Sequence, residues 1–263
     1  MSAFEQQAHE RLLDGLLVPE ASAVDLDPAG RHNCSMNTGS RLPAASQNRP
    51  LSELLRERTA SVHTEAERTG IIADILQRKA DRSGYALFLR NILPAYESLE
   101  SGLSRRSADP ILGVFSRHTL WRSDRLRNDL LHIEGAGWEQ SLPLLASGVS
   151  YADCIAKAAG GDGLRLSSHA YVRYFGDLSG GQILKKLLGK TLSLPAEALT
   201  LYDFPGLDAQ ALKADMRDAL NHAGRISDDE ETLVAEAIAA FEHNICVSRE
   251  VQNLVGATVV ASI

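Results

Sequence analysis

Three groups of residues carry the chemistry this chain could do. The first is His63 with Glu67, in the run Arg58-Thr59-Ala60-Ser61-Val62-His63-Thr64-Glu65-Ala66-Glu67. On a helix, residues four apart are neighbours, and Thr59, His63, Ala66 and Glu67 share one face. A carboxylate one turn from an imidazole can take the proton of one ring nitrogen, which fixes the tautomer and makes the other nitrogen more basic. A metal ligand needs that arrangement, and an ordinary partly exposed histidine with a helical carboxylate neighbour has the same pattern. The other histidines lack a partnered motif: His118 and His132 border loop signals, His9 and His32 lie near the N-terminus, and His169, His222 and His243 sit on helical stretches.

The second group is a set of glycines where a helix disfavours them. The apolar spacing of residues 168–188 is that of one helix, yet Gly176, Gly180 and Gly181 interrupt it around Asp177 and Ser179. Each costs about 1 kcal/mol relative to alanine, so roughly 3 kcal/mol must be offset by something a missing side chain permits. Close approach of bare backbone to a flat ligand does so, and so does a tight crossing of two helices or a helix end followed by a new start. A Gly/Ser pair is also a recognised source of bending. Asp177 must face solvent or hold partners, because an unpaired buried charge is very costly. Beside a reacting ligand it could order a water for proton delivery, and it could equally cap a second half-helix.

The third group is basic. Lys213 and Arg217 lie four apart, Arg56 is seven residues before His63 on nearly the same helical face, and Arg173 and Tyr171 precede the glycines. Such residues are usually on the surface. They become a site for a carboxylate ligand only if their helices surround one pocket.

The elements that must position these groups are helical. A pattern from Ser52, as N-cap, to about Arg68 carries His63, and one from Ser83 and Tyr85 to about Leu103 carries Tyr96, with Pro94 as a bend. Further helical patterns cover about 108–118, 121–133, 148–159, 164–188, 208–222 and 227–253, the last opening on the capping-box run Ser227-Asp228-Asp229-Glu230. Period-two segments with β-branched enrichment are missing, which predicts an all-α fold. Residues 1–50 are rich in Asp, Pro, Gly, Ser and Asn and read as a mobile N-terminal extension. Residues 51–253 read as the folded domain and 254–263 as the end of a helix and a short apolar tail.

Composition narrows the function classes. At 263 residues the chain can bury one sizeable core, and its net charge of −7 argues against nucleic-acid binding through a basic field. Three dispersed cysteines, Cys34, Cys154 and Cys246, form neither a disulfide framework nor a zinc ribbon and fit a reducing cytoplasm. No apolar run of spanning length occurs, so no membrane span is expected.

Together, the segment around His63, the stretch Tyr171 to Leu188 containing Gly176-Asp177-Leu178-Ser179-Gly180-Gly181-Gln182, and the Lys213/Arg217 pair resemble the biliverdin-producing heme oxygenases. The similarity runs in the same order over about residues 51–250. It implies an all-α heme-oxygenase-like domain holding heme, both cofactor and substrate, between a proximal and a distal helix. The resemblance implies that His63 is the proximal iron ligand with Glu67 beside it. It implies that Gly176 and Gly180 bring distal backbone onto the heme and that Gly181 is a hinge. Asp177 then organises distal water, with Tyr96 and Arg173 joining its network, and Lys213, Arg217, Arg56 and Tyr171 meet the propionates. The implied reaction uses O2 and external electrons to open the ring at a meso carbon, giving biliverdin, carbon monoxide and ferrous iron. A separate donor of the ferredoxin or flavoprotein-reductase type is implied, since the chain shows no flavin or nicotinamide fingerprint.

Some positions depart from the family pattern. Arg56 stands where some relatives have lysine, Ala60 where some place another cation, and Val172 where a polar residue is frequent. None of the three cysteines precedes a proline, so a Cys-Pro heme-regulatory element is missing. Two other classes compete. A heme carrier or sensor would keep the pocket without turnover and would not need Asp177. A nonheme diiron bundle needs converging Glu and His ligands, and no paired set is evident.

Overall fold

The structure is a computed structural model and describes residues 49–117, 120–227 and 229–261. The expected extension, apart from residues 49 and 50, lies outside the described residues, together with His9, His32, Cys34 and His118. The described residues are helical and contain no strand. The architecture is a bundle whose centre is α3 (Arg82–Ser104), with α7 (Ala146–Ala158), α5 (Ser123–Glu134) and the long α12 (Glu230–Ala261) packed against it. Tyr85, Leu89, Ile92, Leu93, Tyr96 and Leu99 of α3 are all buried, at the three- and four-residue spacing that gives a helix one apolar face and more.

The proximal candidate helix, α1 (Leu51–Glu67), lies against α11 (Ala209–Ile226) and α12. Its start is tied by tertiary contact, since the Ser52 amide donates to Asn221 Oδ1 of α11 at 3.0 Å. Ser52 therefore does not cap the helix: Pro50 holds the N-cap position with no side-chain cap bond. Further along, Arg58 makes a bidentate pair with Glu231, and Arg249 reaches Glu65 at 2.8 Å, so α12 is tied to α1 at its middle and near its C-terminal end. A short helix α2 (Gly70–Leu76), not evident in the sequence pattern, follows at once. Gly70 opens it at φ +62°, where a Cβ would stand 2.3 Å from the Ser248 backbone of α12. Only glycine lets the chain turn so close to that helix.

Two other caps differ from the local reading. Asp81, not Ser83, is the N-cap of α3, with Oδ1 accepting from the Gly84 amide at 2.8 Å and from the Ser83 hydroxyl at 3.0 Å. A carboxylate outside the first turn can take both donors, whereas Ser83 already lies within the helix. At the start of α12, Asp229 accepts from the Thr232 amide at 3.1 Å while Ser227 ends α11, so the box opening at Ser227 is not the one that forms. The expected helix at 108–118 shrinks to α4 (Leu112–Phe115), because Asp109 accepts from the Ile111 and Leu112 amides in a turn. Residues 254–261, expected to include an apolar tail, are the last turns of α12. No helix among the described residues is long and apolar enough to cross a membrane.

The expected 164–188 helix is one continuous track with two irregularities. α8 (Arg165–Ala170) runs into a π-helical turn at Tyr171–Phe175, then α9 (Gly176–Ser179), a break at Gly180, and α10 (Gly181–Thr191). A π turn inserts an extra residue per turn and re-aims the side chains that follow, and such turns are frequent at functional sites. Two short 3-10 turns, Ala196–Ala198 and Thr200–Tyr202, pack beside α5 and α10 before α11 begins at its Asp208 cap.

Candidate functional site

A cleft of ≈ 330 Å³ opens between the start of α1, the π turn and α11. Arg56, Tyr171, Phe175 and Arg217 line it, together with Glu53 and Asp218. Three of the four residues expected at an anionic ligand thus meet in one place. The fourth, Lys213, is one turn before Arg217 and buried, and burial followed by the Arg217 charge holds its ammonium below the usual lysine range. A buried cation with a second, half-exposed cation one turn away is a poor arrangement for an empty site and a good one for an anionic ligand. Glu53 and Asp218 were not expected there, and they make the mouth mixed in sign.

The aromatic wall of this cleft comes from the π turn. The Tyr171 and Phe175 rings lie 5.3 Å apart and tilted, and Arg217 stands 5.9 Å over Phe175. The Tyr171 hydroxyl is in hydrogen-bonding reach of Thr59, one turn before His63, and burial raises its pKa. The distal track and α1 therefore meet at this point.

His63 continues the same face of α1, about 10 Å along the axis from Arg56 at 1.5 Å per residue. Its Nδ1 lies 3.9 Å from Glu67 Oε1, and its ring meets the edge of Phe241 of α12 at 5.4 Å, nearly perpendicular. No local pattern pairs Phe241 with His63, because the two are on helices far apart in the chain. Burial pushes the Glu67 carboxyl up to about 7, with the nearby Arg68 charge opposing. The imidazole thus has its Nδ1 side turned to a carboxyl group poised between charged and neutral, which leaves Nε2 as the nitrogen for a ligand.

On the distal side, Asp177 is the best-tied carboxylate of the motif. It is 7 % exposed, and the Tyr96 hydroxyl of α3 donates to its Oδ2 at 2.7 Å. Arg173 Nη2 donates to the same Tyr96 hydroxyl at 2.9 Å, its guanidinium lies 4.7 Å over the Tyr96 ring, and Nη1 donates to Asn244 of α12 at 2.8 Å. Burial raises the Asp177 pKa, while the Arg173 charge, the Tyr96 hydrogen bond and the Arg122 charge oppose it. The three residues expected to act together are therefore one hydrogen-bonded unit. Asn244 and the fully buried Arg122 belong to its surroundings without any local signal in the sequence.

The glycines divide into different tasks. Gly176 has helical dihedrals and is exposed, and a Cβ built on it would meet nothing within 4 Å, so its bare face borders open space one residue before Asp177. Gly180 is buried at the break, and its carbonyl accepts from the Ile183 and Leu184 amides. Gly181, expected as a hinge, packs against a ring: a Cβ there would be 2.9 Å from Tyr202 Cδ1. Its lack of a side chain is accounted for by that close approach.

The residues present suit a flat dianionic macrocycle. The cationic end and the aromatic wall line the cleft, the His63–Glu67 pair lies further along α1, which forms one side of it, and the side-chain-free Gly176 follows the π turn that forms another.

Comparison with known proteins agrees. The heme oxygenase family model matches residues 49–250. Heme oxygenase 1 of Homo sapiens is 32% identical over 208 residues, covering 78% of this chain and 72% of that protein. Heme oxygenase 1 of Synechocystis sp. is 32% identical over 209 residues, covering 79% of this chain and 87% of that protein. Among solved structures, cyanobacterial heme oxygenase-1 in complex with heme superposes with a TM-score of 0.73 at 30% identity, over 81% of this chain and 99% of that one. Heme oxygenase from Leptospira interrogans gives 0.72 at 30% identity, over 77% of this chain and all (100%) of the other. A fold, a residue pattern and a groove of this chemistry, matched over most of the length, place the chain in the heme oxygenase family.

Proposed function

We propose that the protein binds heme between α1 and the π turn with α9, and opens it to biliverdin, carbon monoxide and ferrous iron. Heme supplies the iron at which dioxygen is reduced and the porphyrin edge that is oxidised. His63 binds the iron through Nε2, and Glu67 on the Nδ1 side sets the basicity of that ligand. Arg56, Tyr171, Lys213 and Arg217 hold the propionates and so fix the rotation of the ring in the groove, which decides the meso carbon attacked. Gly176 and Gly180 let distal backbone lie close to the ring face and leave no side chain to compete for the oxygen site. Gly181, packed on Tyr202, anchors the following helix against the core while the track before it adjusts.

Asp177 holds and moves the distal proton. Its carboxylate orients a water at the open space beside Gly176, and Tyr96 keeps it aimed there while Arg173 stabilises its charge. The observation that carries this reading is the buried Tyr96–Asp177 bond at 2.7 Å next to the exposed, unobstructed Gly176. A carrier that does no chemistry has no use for a carboxylate that orders water beside the ligand, and Asp177, unlike the buried Asp129 that ties backbone amides, sits next to the open face of Gly176.

Electrons come from a separate protein, and the compartment is reducing and cytoplasmic, consistent with free Cys154 and Cys246. The test is the product spectrum of one turnover with heme, reductant and oxygen, followed by chromatography of the bilin. Wild type yields biliverdin, His63→Ala yields none, and Asp177→Ala binds heme but consumes oxygen without opening the ring. A stable oxy complex of the wild type that never develops verdoheme or biliverdin absorption would replace this reading with the carrier.

A further inference from the structure

Three groups of metal-ligating type meet outside the cleft lining, where α7, α8 and α12 pack together. Cys154 of α7, His169 of α8 and Glu236 of α12 each bring a ligand atom within 4.8 Å of the other two. We propose that Cys154, His169 and Glu236 form a binding site for a zinc-class divalent cation, separate from the heme groove.

The His169–Glu236 pair has nearly the spacing one ion needs, and the Cys154 ligand atom is within 4.8 Å of both. His169 Nε2 lies 3.0 Å from Glu236 Oε2, and with metal–nitrogen and metal–oxygen bonds of about 2.0–2.2 Å that separation corresponds to an angle of roughly 95° at the ion. A slight opening brings it to the tetrahedral value. His169 is fully buried, which holds its Nε2 edge in place against the Glu236 carboxylate. Arg165 donates to the other glutamate oxygen, Oε1, at 2.7 Å, and so acts as the outer partner that turns Oε2 toward the imidazole.

Cys154 completes the set. It is free and only half-buried, which leaves an entry path and room for a water as fourth ligand. Binding displaces the thiol proton to solvent, and thiolate and carboxylate together balance the two positive charges of the ion. One sulfur, one nitrogen and one oxygen make a borderline-soft donor set, which favours zinc over magnesium or calcium. All three ligands sit on packed helices, so little ordering is needed on binding. His169 is also two residues before Tyr171 on the same helical track, so the ion ties the start of the distal track to α7 and α12.

The experiment uses the heme-free full-length protein with Cys34→Ser and Cys246→Ser, titrated with cobalt(II) as a spectroscopic stand-in for zinc. The expected result is one equivalent bound, a near-ultraviolet thiolate-to-cobalt charge-transfer band, and its loss on adding zinc. Cys154→Ser, a nearly isosteric change at a half-buried position, should abolish the band and weaken binding more than about tenfold. Absence of the band, its persistence in Cys154→Ser, or cobalt binding without thiolate character would each overturn the site.

Discussion

Replacing Gly176 and Gly181 separately by alanine should move stability and heme binding in different ways. At Gly176 the dihedrals are −59° and −50°, and an added Cβ meets nothing within 4 Å. The alanine therefore gains the ordinary helix preference, about 1 kcal/mol, and the heme-free protein should melt about 2–4 °C higher. The same methyl occupies the open space proposed for the ring, so hemin affinity should fall at least tenfold, equivalent to about 1.4 kcal/mol. At Gly181 the methyl would stand 2.9 Å from Cδ1 of the buried Tyr202 ring, and the backbone carbonyl of Tyr202 accepts from Gln182 Nε2 at 2.6 Å. Overpacking of this kind costs about 1–3 kcal/mol, which exceeds the helix gain, so this variant should melt lower while keeping most of its hemin affinity. Thermal melts of the heme-free proteins and hemin titrations read both quantities. Loss of stability in Gly176→Ala together with unaltered hemin binding would refute the assignment of its bare face to the ligand.

Tyr96→Phe removes one hydroxyl that serves both Asp177 and Arg173, and should cost about 3 kcal/mol and some 6–12 °C in melting temperature, along with most of the biliverdin yield. An unshifted melt would show the pair to be energetically idle. Lys213→Met removes a buried cation disfavoured by burial and by Arg217, so the heme-free protein should be at least as stable near neutral pH while hemin binds more weakly, as a titration would show. Glu67 has a folded pKa of about 7 against an ordinary 4.5, so the folded state holds its proton more tightly. Its contribution is fully present below about pH 4.5 and is lost as pH rises through about 7. Melting temperature of the heme-free protein should fall across that window, and Glu67→Gln should flatten the fall.

The helical character and the positions of the candidate motifs were legible along the chain because both depend on short-range spacing. The His63–Glu67 turn, the glycines around Asp177 and the Lys213–Arg217 turn each span a few residues. Helix starts were less legible, since the amide of Ser52 is taken by Asn221 from a helix 169 positions later and no local pattern encodes that. The same limit hid α2, whose tight entry at Gly70 makes sense only with Ser248 of α12 beside it. Gly181 shows the limit within the motif itself, since its reason for being glycine is the Tyr202 ring.

The sequence alone determined which chemical groups exist and which of them share a helical face, because that follows from 3.6 residues per turn. Tertiary structure decided which faces meet. It brought Tyr96 of α3 under Asp177, Phe241 of α12 against His63, and Arg56 of α1 opposite Arg217 of α11 in one cleft. It also set the electrostatics, since the raised pKa values of Glu67 and Asp177 come first from burial, which depends on the whole packed bundle.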